Sequence, residues 1–60
     1  MTDANIELLS RLIKPLVGSD DLVDTWFNSP NKAFDNRCPV EVDYKSVFKY
    51  IIGMYGGEYL

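Results

Sequence analysis

The chain has 60 residues, 47% of them hydrophobic and 25% charged, with nine acids against six bases and a formal net charge of −3. This length allows one domain, spanning 1–60, which buries only about 60% of its unfolded surface, so a partner or a homo-oligomer is open from size alone. Arg11, Lys14, Lys32, Arg37, Lys45 and Lys49 are spread along the chain and form no run, which argues against nucleic-acid binding by the chain on its own.

Histidine is absent and Cys38 is the single cysteine. An internal disulfide is therefore excluded, and a reducing cytoplasm suits the composition better than secretion. Glu7, Ser10, Arg11 and Lys14 interrupt the apolar residues of 6–17, which excludes a signal-peptide core or a membrane span there.

Helical periodicity dominates. The first predicted helix, near 3–14, places Ile6, Leu9, Ile13 and Leu16 near one face, with Thr2 or Asp3 as cap. Pro15 is expected to end or kink it, with Gly18 as a natural stop. A second helix, near 20–28, opens on Ser19 as cap, with Asp20 and Asp21 at its positive end. Leu22, Val23, Trp26 and Phe27 follow at helical spacing. The residue before a proline is pushed out of the helical region, so Asn28-Ser29-Pro30 closes it. A turn over Asn31–Phe34, another at Asp35-Asn36 and a third from Pro39 to Val42 lead to Asp43, a good cap for the last helix. That helix, near 43–55, carries Tyr44, Val47, Phe48, Ile51, Ile52 and Tyr55 as a continuous apolar stripe, and Gly56-Gly57 ends it. The fold class is all-α: a small bundle of three main helices with a proline-cornered loop.

Catalytic chemistry finds little support. Without histidine there is no Ser-His or Cys-His pair and no imidazole metal ligand. Asp20, Asp21 and Asp24 read as helix N-terminal charges in water rather than as a metal site. Gly53-Met54-Tyr55-Gly56-Gly57 lacks the lysine and hydroxyl residue of a phosphate loop. Cys38 as a nucleophile needs a base and a positive environment, of which only Arg37 adjoins it. No enzyme, cofactor or metal is expected.

Trp26, Phe34, Phe48 and Ile51 are expected in the core, with Trp26, Pro30, Phe34 and Pro39 as the structural keystone. Trp26→Ala is then expected to cost roughly 3–5 kcal/mol. Tyr55 divides between core and interface, whereas Tyr59 fits an interface, its ring apolar and its tip polar.

The stretch LVGSDDLVDTWFNSPNKAFDNRCPVEV resembles the toxin-binding domain of antitoxins of the Xre/MbcA/ParS type. Leu16-Val17-Gly18 is similar to that family's helix end, Trp26-Phe27 to its short helix and Pro30-Asn31 to its loop. Phe34 is similar to its apolar plug, and Arg37 and Pro39 to its second turn. Val47, Ile51 and Gly57-Glu58-Tyr59 fit its last helix and tail, so the likeness covers about residues 12–60. The family usually has glycine where this chain has Asp35-Asn36, and the segment from Pro39 to Val47 is shorter here. The helix-turn-helix domain that normally precedes the module is not in this chain.

The resemblance implies a non-catalytic module that binds a RES-type, NAD-consuming toxin and blocks its active site, often with the antitoxin's C-terminal end. Tyr55, Glu58, Tyr59 and Leu60, with Asn31 and Arg37 in the loop, are then the expected partner-binding residues. A small phage or mobile-element protein that inhibits another host protein, or builds a structural oligomer, is the alternative.

Overall fold

In the computed structural model, which describes residues 1–56, the order of elements is α1 (Asp3–Val17), α2 (Asp20–Asn28), a 3-10 turn (Lys32–Phe34), a second 3-10 turn (Pro39–Glu41) and α3 (Tyr44–Gly56). The three helices and the proline-cornered loop are those expected, and no strand occurs among the described residues.

Each helix starts where a side chain satisfies a free amide. Thr2 accepts from the Asn5 N–H at 3.2 Å, and Ser19 accepts from the Leu22 N–H at 3.2 Å. Asp43 accepts from the Ser46 N–H at 3.0 Å and from its hydroxyl at 2.9 Å. These hydrogen bonds hold the Asp43 carboxyl below its ordinary range, and Arg37 adds a smaller pull in the same direction.

α1 departs from expectation at its end. Pro15 lies inside the helix, which continues to Val17. The proline ring holds a helical φ but removes the donor that would bond the Arg11 carbonyl. Gly18, at φ 108°, then donates its N–H to the Lys14 carbonyl at 2.8 Å and closes the helix around the proline. That left-handed backbone is open to glycine at little cost. Ser29 ends α2 in an extended conformation before Pro30, as expected.

The core is built from Leu9 and Ile13 of α1, Val23 and Phe27 of α2, Phe34 and Val42 of the loop, and Val47 and Ile51 of α3. Each helix contributes a pair spaced i, i+4, so the pairs set which way the helices face. Two expected core residues fall outside this set. Phe27, 3% exposed, takes the place expected for Trp26, which is only half-buried. Residues one apart on a helix point about 100° apart, so turning Val23 and Phe27 inward leaves Trp26 on the flank. The same rotation about Val47 and Ile51 leaves Phe48 38% exposed, with Ile52 and Tyr55 also outside. Tyr44, Tyr50 and Met54 pack against the core from α3 instead. Phe34 and Ile51 are buried as expected.

Candidate functional site

The half-buried position of Trp26 makes a surface feature. Leu22, Thr25, Trp26 and Ser29 recur along one face of α2 and border an open groove of about 380 Å³. Val17 closes it on the α1 side, and Pro30 and Asn31 close it on the loop side. Val17 reaches this position because the turn at Gly18 folds α1 back onto α2. Leu22 remains 50% exposed at the groove.

The Trp26 ring is fixed from behind. It meets Phe27 edge-on with centroids 5.1 Å apart and Phe34 edge-on at 6.5 Å. Phe34 in turn meets Tyr50 of α3 at 5.3 Å. This chain of edge-to-face contacts ties the groove wall to the core, so the indole is held in place before anything binds.

The loop beside the groove holds its own shape. The Asn31 N–H donates to the Arg37 carbonyl at 3.1 Å, and the Asn36 N–H donates to the Asn31 carbonyl at 3.0 Å. Asn31 Oδ1 accepts from the Ala33 N–H at 2.9 Å. Asp35 and Asn36 both take positive φ, at 57° and 63°, and so supply the backbone that glycine would provide. Pro39 is fully buried whereas Pro30 is exposed. Of the two prolines, Pro39 is therefore part of the core and Pro30 part of the surface.

The expected partner-binding residues are not brought together at one point. Asn31 lies at the groove. The exposed Arg37 lies at the foot of the loop and, with Ser46, Lys49, Tyr50 and Asp35, borders a second, polar cleft of about 360 Å³. Tyr55 is 49% exposed, and its hydroxyl donates to the Leu12 carbonyl, which pins the end of α3 to α1. Glu58, Tyr59 and Leu60 lie outside the described residues.

Burial pushes the Cys38 thiol up, and Glu41 adds to this through a hydrogen bond and its charge. Among the described residues no cluster of three or more histidine, cysteine or acidic side chains is placed to hold a metal. Likewise no helix among them is long and apolar enough to cross a membrane.

Leu22, which the sequence placed only as a helical apolar residue, and Val17, placed only in the Leu16-Val17-Gly18 likeness, are walls of the groove. For Leu22 alone a signal was present, in the i, i+3, i+4, i+7 series from Leu22 to Ser29, which runs along a face distinct from that of Val23 and Phe27.

An all-α fold presenting a preformed, largely apolar groove defines a small protein-interaction module. Residues 14–42 match the family model of the antitoxin Xre/MbcA/ParS C-terminal toxin-binding domain. The match runs from the last turn of α1 to Val42 and takes in every residue that borders the groove. No curated protein and no solved structure matches the chain. The matched segment is thus similar to a toxin-binding, antitoxin-type interaction module.

Proposed function

We propose that this protein neutralises a RES-type, NAD-consuming toxin in the cytoplasm by binding it directly, without catalysis or a cofactor of its own. The observation that carries this reading is the coincidence of the matched segment, 14–42, with the groove built by α1, α2 and the loop. Binding uses the surface around Asn31 and Arg37, and the C-terminal residues Glu58, Tyr59 and Leu60 enter the toxin's active site beside Tyr55. The tail carries the carboxylate of Glu58, suited to basic groups that receive a phosphate-bearing cofactor.

Co-expression with a RES-type toxin tests this. The expected result is co-purification of the two proteins and restored growth of toxin-expressing cells. Continued growth arrest with no complex recovered would overturn it.

A second reading is favoured by one observation. Phe48, Ile52 and Tyr55 leave an exposed apolar flank on α3, and contiguous apolar surface marks interaction sites. Such a flank suits a structural oligomer or an inhibitor of another host protein, as in a phage or mobile element. Sedimentation velocity of the purified chain separates the two: a monomer that assembles only with toxin supports the first reading.

A further inference from the structure

The groove is apolar between its walls, and Asp21 is the acid of α2 that flanks its lining face, Asp20 and Asp24 falling on other faces of the helix. Asp21 directly precedes Leu22 and stands one turn before Thr25, whose hydroxyl donates to the Asp21 carbonyl at 3.1 Å. Asp20, Asp21 and Asp24 are all exposed. Asp20 pairs with Lys14 at 3.2 Å, while among the described residues Asp21 and Asp24 pair with no cation. The last turn of α2 has no basic residue either, so the negative end of the helix dipole is not opposed by a cation there.

We infer that this groove docks an apolar segment of a partner protein that carries a lysine or arginine beside its anchoring side chain. The anchor fills the space between Leu22, Trp26 and Pro30, and the cation meets Asp21. The volume falls within the roughly 300–1,000 Å³ of ordinary ligand pockets, and the indole is fixed beforehand by Phe27 and Phe34, which lowers the ordering cost of binding. Buried anchors of this kind carry most of an interface's energy, while rim charges steer encounter and select the partner. A second copy of the chain does not fit. A two-fold symmetric contact places the same patch on both sides, and here it would bring the two Asp21 carboxylates toward the same contact. The inference deepens the toxin-binding reading and rests on it only for who the partner is.

Trp26 is the only tryptophan in the chain, so its emission reports the groove directly. Two synthetic peptides share a Leu-Phe anchor, one flanked by lysines and one by glutamates, and each is titrated into the full chain at low salt. The lysine peptide is expected to bind at least tenfold more tightly, with a preference that shrinks as salt rises. Asp21→Lys should invert the preference, and Leu22→Glu should abolish binding of both peptides. Both residues are exposed, so unchanged melting of each variant verifies that it folds. Equal binding of the two peptides, an unmoved Trp26 signal, or a signal explained by self-association in sedimentation would overturn the inference. If both variants still co-purify with toxin as wild type does, the groove is not the contact although toxin binding stands. If the peptides discriminate as expected but no toxin binds, the groove stands and the toxin reading falls.

Discussion

The backbone N–H of Asn31 donates to the carbonyl of Arg37 at 3.1 Å, joining the two ends of the loop that separates the groove from the polar cleft. Closing this loop requires the chain to turn back at Asp35 and Asn36, and both do so with positive φ. A left-handed backbone costs most side chains roughly 1–2 kcal/mol, with Asn and Asp among the few that visit it readily.

Substitution at the loop tip should therefore follow backbone preference rather than polarity. Asn36→Gly is expected to keep or raise the melting temperature. Asn36→Val, whose branched side chain is poorly tolerated at positive φ, should cost about 1–3 kcal/mol. Thermal melting by circular dichroism decides it, and equal stability of the two variants would contradict the assignment.

Phe27 and Trp26 separate the core from the groove. Phe27→Ala should cost roughly 3–5 kcal/mol, comparable to the whole stability of about 3–9 kcal/mol expected for so short a domain. Trp26→Ala should cost clearly less, because its side chain is only half-buried. Denaturant melts of the two variants give the comparison, and a larger loss at Trp26 would restore that residue to the core.

Much of the fold could be read from local chemistry. Thr2, Ser19 and Asp43 announce helix starts because their side-chain oxygens accept the free amides that follow, and Pro30 announces an end because it restricts the residue before it. What escaped was rotational. Adjacent apolar residues such as Trp26-Phe27 and Val47-Phe48 satisfy a helical stripe equally well, and only packing against Leu9 and Ile13 decides which one turns inward. Pro15 escaped for another reason: a proline can kink or end a helix, and the sequence alone does not say that the helix runs on to Val17. The groove was the least legible part, since Val17, Trp26 and Pro30 meet only after α1 folds back on α2.

Asp43 should give α3 an acid-sensitive start. Its folded-state pKa is lowered by the bonds from Ser46, so its contribution is present above the ordinary aspartate value of about 3.9. That contribution is lost as pH falls through the lower folded value. Asp43→Asn keeps an acceptor but no titrating group. The stability advantage of wild type over this variant should be constant from pH 5 to 7 and decline below about 3.9, as read from melts at each pH. A difference that stays level down to pH 2 would contradict it.

Removing Glu58 to Leu60 should leave the melting temperature nearly unchanged, since the core is complete by Ile51 in the described residues. The same truncation should weaken toxin binding by at least tenfold if the tail occupies the active site. Binding titration of the truncated and full chains checks this, and undiminished affinity would move the contact to the helices and the loop from Asn28 to Arg37.

Whether this chain binds and silences a toxin is read most directly by mixing the two purified proteins. Isothermal titration of the full chain into a RES-type toxin, with NAD consumption followed in the same samples, reads binding and inhibition together. The account predicts saturable heat at a fixed stoichiometry and NAD consumption that falls in proportion to the complex formed. No heat of binding together with undiminished NAD consumption would contradict it.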